Sequence, residues 1–246
     1  MAFFISVSLF LNTGQEILVE IALDRLPVQM YVPPNARLKG KIWLMKLVKI
    51  EILIDKGAFS RSKEWDTILD NIKASVKAVR WPPGASTFTI HKQSGKKRGE
   101  GSGVKPIKDA FMAKLMTYGW DLETKVDIAT LKTPGPLDAT YKVGNRLFAV
   151  EWETGNISSS HRAVNKMALG ILKGLLVGGI LILPTRDLYQ YLTDRVGNLP
   201  ELEPYFPLWR ALNLEEGLLG VIAVEHDSAS TDVPRIPKGT NGRHAV

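Results

Sequence analysis

"GPLDATYKVGNRLFAVEWETGNISSSHR", residues 135–162, decides how the chain folds. "ATYKVG" and "RLFAVEWET" read as strands, and the thirteen residues from Asp138 to Glu151 leave room for one strand, a "VGN" turn and the returning strand. Such a hairpin brings Asp138 beside Glu151. Residues two apart on a strand share a face, so Glu151 and Glu153 project together and Trp152 projects the other way. Carboxylates that close are costly unless a cation or a shared proton joins them.

Downstream of the hairpin the pattern alternates. "HRAVNKMALGILKGLLVG" (161–178) reads as a helix, with the serines of "SSS" (158–160) as hydroxyl caps. "GILILP" is a wholly apolar strand of the kind buried on both faces. "TRDLYQYLTDRVG" reads as a second helix running from a Thr185 cap to Gly197, and "GLLGVIAVE" as another buried strand. Strand, helix, strand, helix, strand implies an α/β fold in which a central mixed β-sheet is flanked by helices.

Upstream, "SKEWDTILDNIKASVKAV" (62–79) carries Trp65, Ile68, Leu69, Ile72, Val76 and Val79 at helical spacing. "WPPGASTFTI" then turns and extends. "HKQSGKKRGEGSGVKPIK" (91–108) holds six lysines and arginines against Glu100 and reads as a mobile basic loop, suited either to phosphate contact or to plain solvation. A helix is expected from about Lys108 to Trp120.

The N-terminus stands apart. "MAFFISVSLFL" is apolar, yet it lacks the basic flank and cleavage site of a signal peptide and is too short to span a bilayer. A Pro-rich break, "YVPPNARLKGK", separates it from "MKLVKIEILIDKG", which opens on Met45. Residues 1–44 are therefore expected to be an extension or a misassigned start, and 45–246 a single domain. The alternative is a real hairpin packed on the core.

With 246 residues, 45% hydrophobic and 23% charged, the chain is long enough for a genuine core. A net charge of +7 favours polyanionic partners such as nucleic acid. The absence of cysteine excludes disulfides and thiolate metal sites, and is consistent with a cytoplasmic setting. Any metal must use oxygen or histidine ligands.

An acidic strand pair inside a basic protein suits phosphodiester chemistry. Asp138, Glu151 and Glu153 would offer the carboxylate oxygens that Mg²⁺ takes, and such an ion acidifies a water and clamps a reacting phosphate. Ordinary exposed acids on an edge strand, and a glycosidase-type carboxylate pair, are the alternatives.

"PLDATY…FAVEWETGNISSSHRAVNK", "YLTDRVGNLPELEPYF" and "VPRIPKGTNG" closely resemble the BamHI-like type II restriction endonucleases, of the PD-(D/E)XK nuclease superfamily. The resemblance runs from about Trp81 to Gly242 and is loose over 45–80. It implies a restriction-endonuclease-like fold and an Mg²⁺-dependent enzyme that hydrolyses both strands of double-stranded DNA. Asp138 and Glu151 are then metal ligands, with the Trp152 carbonyl as a further one. Glu153, standing where most of the superfamily has lysine, orients or deprotonates the attacking water. Glu123 in "YGWDLETKVD" aligns with a further active-site acid of the family.

The resemblance also assigns Asn156, Ser158, Arg162, Asp194 and Arg195 as major-groove readers, with Gly242 and Arg243 near the minor groove. Arginine pairs with guanine, asparagine with adenine, and aspartate accepts from cytosine N4. Helix caps or surface ion pairs are the other uses of such residues. The implied target is the palindrome GGATCC, cut to four-base 5′ overhangs by a homodimer whose genetic partner is a DNA methyltransferase. Leu172 and Pro207 stand where the family has charged partners of inter-subunit ion pairs, which implies a more apolar interface. A sequence-specific binder without catalysis, and a nuclease with another target, share much of this pattern.

Overall fold

The computed structural model describes residues 4–10, 16–22, 45–97, 99–128, 135–193 and 195–238. The chain divides into two compact units, Met1–Lys41 and Ile42–Val246. In the first, β1 (Phe4–Phe10) and β2 (Glu16–Ala22) pair antiparallel as a hairpin.

The second unit begins with β3 (Lys46–Lys56), α1 (Lys63–Ala78), the short β4 (Thr89–His91) and α2 (Lys105–Met116). β5 (Asp121–Thr124), β6 (Leu137–Val143), β7 (Arg146–Trp152), α3 (Ile157–Leu172) and β8 (Leu176–Pro184) follow. α4 (Arg186–Tyr189), α5 (Leu199–Leu202), α6 (Phe206–Arg210), β9 (Gly217–Glu225) and β10 (Ser228–Ser230) close the order. Six strands form one mixed sheet in the order β3-β9-β8-β7-β6-β5, in which β7, β8 and β9 are parallel and the outer pairs antiparallel. β10 pairs with β4 in a separate parallel ribbon.

Strand alternation sorts the core into two layers. On β8, Ile180 and Ile182 join Ile68, Ile72 and Val76 of α1 and Ile107, Phe111 and Leu115 of α2 on one face. Leu181 and Leu183 join Val164, Met167 and Ile171 of α3 with Phe206 and Trp209 on the other. Both faces being covered, β8 and β9 have no polar side to show and read as continuous apolar runs. Each aliphatic side chain so buried contributes roughly 1.5–3 kcal/mol relative to exposure.

The helical and hairpin readings are largely realised. α1 starts behind Ser62, whose hydroxyl accepts from the Trp65 amide. A two-residue turn, Gly144–Asn145, joins β6 to β7, with Gly144 at φ 57° as tight hairpins require.

Several boundaries differ. α3 stops at Leu172 and β8 begins at Leu176, because Gly174 (φ 69°) reverses the chain while the Leu175 amide donates to Gly170 and the Gly174 amide to Ile171. α2 runs Lys105–Met116, so it starts and ends earlier than 108–120. Asn156 caps α3, and the three serines occupy its first turn.

The long helix expected over 185–197 is one turn, α4. Thr185 does cap it, accepting from the Leu188 amide. Beyond it the main chain bonds outside the helix: Gly95 donates to Gln190, Ser102 donates to Tyr191, and Thr193 donates back to Ser102. The same bonds tie down the basic segment expected to be mobile. Gly101 packs so close to Leu192 that an added Cβ would meet its carbonyl oxygen at 2.6 Å.

Candidate active site

The site lies where β7 ends and α3 begins, at the carboxyl end of parallel strands, where open α/β sheets bind their ligands. A cavity of about 1020 Å³ opens there, lined by Lys108, Asp138, Glu151, Glu153, Arg162 and Lys166 among others.

Asp138 and Glu151 are brought together as the hairpin predicts. The β6–β7 register pairs Ala139 with Val150, which sets Asp138 directly across from Glu151. The Trp152 amide donates to Asp138 Oδ2 at 2.8 Å, and the Asp138 amide lies 3.4 Å from Glu151 Oε2. Both carboxylates are mostly buried, 15% and 13% exposed. Two ammonium groups face them: Lys108 Nζ is 2.5 Å from Asp138 Oδ1, and Lys166 Nζ is 3.6 Å from Glu151 Oε1. Lys166 also donates to the carbonyls of Gly135 and Pro136, at 2.8 and 2.7 Å. Burial first, and then the neighbouring Asp138 charge, push the Glu151 carboxyl up to about 7; Lys166 and Lys108 oppose the rise.

Glu153 lines the same cavity, but its carboxylate is turned toward the start of α3. Oε1 accepts from the Gly155 amide at 2.5 Å, and Oε2 accepts from the buried Ser160 hydroxyl. Burial raises its proton affinity, and the bonds from Ser160 and Gly155 lower it again. The Glu153 amide still donates to the Ile182 carbonyl of β8 at 2.8 Å, so it is the side-chain bonds to Gly155 and Ser160 that hold its carboxylate at the α3 turn. Among the described residues no three acids or imidazoles converge as a ready-made ion cage. Trp152 itself is buried against Phe111, ring centroids 4.8 Å apart, a contact worth about 0.5–1.5 kcal/mol beyond its area.

The donor set nonetheless fits a hard cation. Two mostly buried carboxylates facing each other across a strand pair offer the oxygen donors that such an ion takes.

The base-reading candidates are placed unevenly. Ser158 and Arg162 line the cavity. Asn156 is exposed but uses its side-chain oxygen as the α3 cap, accepting from the Ser159 amide at 3.3 Å. Asp194, Gly242 and Arg243 lie outside the described residues. Arg195 is exposed on the irregular segment after α4. Glu123 is also exposed, although the β5–β6 register sets it across from Asp138. Among the described residues, Glu123 (φ 50°) and Arg195 (φ 79°) are the non-glycine residues with left-handed backbone. Such strain costs roughly 1–3 kcal/mol and clusters at functional sites.

Sequence reasoning missed Lys166 and Ser160 and took Lys108 for a loop charge. Lys166 follows Arg162 by one helical turn, a periodicity that was legible. Nothing local marks Lys108 or Ser160, whose partners are 30 and 7 residues away in sequence.

The family model for restriction endonuclease BamHI matches residues 45–243, which include every element of this site. The chain belongs to the BamHI restriction endonuclease family. It is 50% identical over 199 residues to the type II restriction enzyme OkrAI of Oceanobacter kriegii, covering 81% of this chain and 98% of the relative. It is 37% identical over 206 residues to the type II restriction enzyme BamHI of Bacillus amyloliquefaciens, covering 79% and 92%. Among solved structures, a crystal structure of restriction endonuclease BglII complexed with a DNA 16-mer superposes with TM-score 0.46 at 11% identity, over 73% of this chain and 79% of that one. Both of these relatives are type II restriction enzymes by name, and this chain is an endonuclease of that class with a restriction-endonuclease-like α/β fold.

Proposed function

We propose that this protein hydrolyses both strands of double-stranded DNA at GGATCC in an Mg²⁺-dependent reaction, leaving four-base 5′ overhangs. The observation that carries the reading is the buried, opposed pair Asp138 and Glu151 in a cavity whose other wall is the α3 turn with Ser158 and Arg162. Chemistry and base reading thus share one opening.

Asp138, Glu151 and the Trp152 carbonyl would hold the ion, with Glu123 as a further acid from the neighbouring strand. When bound, a divalent cation supplies charge at the reacting phosphate and a more acidic water. Glu153 takes the water's proton at its carboxylate. Its burial strengthens it as a base, while Ser160 and the Gly155 amide keep it ionised and aimed. Arg162 reads guanine, Asn156 adenine and Asp194 cytosine, with Ser158 and Arg195 beside them and Gly242 and Arg243 toward the minor groove.

A palindromic target calls for a two-fold homodimer. The apolar surface at Leu172 on α3 and Leu208 on α6, 64% and 62% exposed, supports a less charged interface than ion pairs would make. Among the described residues no helix is long and apolar enough to cross a membrane. Action in the cytoplasm beside a protective methyltransferase is the setting we propose.

The test is digestion of a sequenced plasmid in Mg²⁺ and in Ca²⁺, with the ends sequenced. Cuts at GGATCC in Mg²⁺ alone are expected. Cuts elsewhere discard the specificity, and specific binding without cutting makes the protein an inactive DNA binder.

A further inference from the structure

We propose that Lys108 is a built-in counter-ion that stands in the metal's place on Asp138 and is displaced when a divalent cation binds, whereas Lys166 stays seated. The inference rests on the reading of Asp138 and Glu151 as metal ligands.

The two lysines are not equivalent. Lys108 reaches in from α2, and among the described residues its ammonium hydrogen-bonds Asp138 alone, at 2.5 Å. Lys166 is held by two main-chain carbonyls at 2.8 and 2.7 Å and sits farther, 3.6 Å, from its acid. A divalent cation on Asp138 would sit beside the Lys108 ammonium, and the two positive charges would repel. The side chain with a single partner is the one that yields. Lys166, by contrast, ties α3 to the start of β6 through Gly135 and Pro136 and keeps its bonds whether or not an ion is present.

The device answers a specific difficulty. DNA must bring phosphates to a cavity that contains the carboxylates of Asp138, Glu151 and Glu153, and uncompensated acids would repel them. Lys108 pairs with Asp138 and Lys166 with Glu151, so the site opposes DNA less than the acids alone would. Once an ion enters, the Lys108 ammonium swings off Asp138 on its four-carbon stem into the cavity that it already lines. There it meets the phosphate.

The experiment uses the full chain without cleavage as a readout. Ca²⁺ is titrated calorimetrically in the absence of DNA, and DNA affinity is measured separately in EDTA. Lys108→Met is expected to bind Ca²⁺ about tenfold more tightly than wild type, since a competing cation is gone, and to bind DNA about tenfold more weakly in EDTA. A merely structural lesion would weaken both. Unchanged or weaker Ca²⁺ binding by folded Lys108→Met overturns the proposal. Asp138→Asn separates the two levels of the argument: if it binds Ca²⁺ like wild type, the metal-ligand reading itself fails. Should Lys108→Met not fold, nitrogen NMR of the lysine ammonium groups in wild type decides. The Lys108 signal moves on Ca²⁺ saturation while that of Lys166 stays, and an unmoved Lys108 signal overturns the proposal.

Discussion

Asp138 and Glu151 face each other across antiparallel strands, and each lies within reach of an amide from the other's strand: Trp152 donates to Asp138 Oδ2 at 2.8 Å, and the Asp138 amide is 3.4 Å from Glu151 Oε2. The hairpin itself therefore aims both carboxylates into the cavity.

Removing Glu151 separates binding from chemistry. Glu151→Ala is expected to keep specific DNA affinity in Ca²⁺ and to lose cleavage in Mg²⁺ by on the order of a thousandfold, several kcal/mol of transition-state stabilisation. Gel-shift affinity and single-turnover cleavage check the two halves. Retained cleavage would take Glu151 out of the metal site.

The raised Glu151 proton affinity has a sign in stability. A carboxyl at about 7 in the folded, metal-free protein and near 4.5 when unfolded holds more proton in the folded state between those values. Stability in EDTA is then greatest at the acid side of that window and falls as pH rises from about 4.5 through about 7 on this group's account. Glu151→Gln should flatten this component, raising the melting temperature more at pH 8 than at pH 5. Denaturation in EDTA at the two pH values measures it.

Ser160 lowers the proton affinity of Glu153 by donating its hydroxyl to Oε2. In Ser160→Ala the carboxyl should titrate higher, and the acid limb of the cleavage rate profile should move to higher pH. A profile superposable on wild type would mean that Glu153 is not the proton acceptor.

Arg162→Ala should weaken binding to the cognate site by about 1–3 kcal/mol while leaving non-specific affinity nearly intact. Anisotropy on cognate and scrambled duplexes at one salt concentration tests this. Equal losses on both would reassign Arg162 to phosphate contact.

Residues 45–243 match the family, and Met45 opens that span. A protein starting at Met45 should cleave as the full chain does, and intact mass of the product of the native locus should correspond to that start. A full-length mass, together with loss of activity on truncation, would make residues 1–44 an integral part.

Local order in this chain was legible wherever neighbours in sequence set it. Alternation along 137–152 and the Gly144–Asn145 turn specify the hairpin, and with it the Asp138–Glu151 pair, because strand periodicity and turn geometry are properties of adjacent residues. The apolar runs of β8 and β9 likewise announce strands buried on both faces. The end of α4 was not legible, since 190–193 is helix-compatible and gives up its helix only to bond Gly95 and Ser102, far away in sequence. The same holds at the site. Glu153 turns to Ser160, and Lys108 and Lys166 converge on the acids, through packing of α2 and α3 against opposite faces of the sheet. Sequence by itself determined which residues form the acidic hairpin, and only the tertiary structure decided which charges neutralise it, because a buried charge is paired by what lies near it in space.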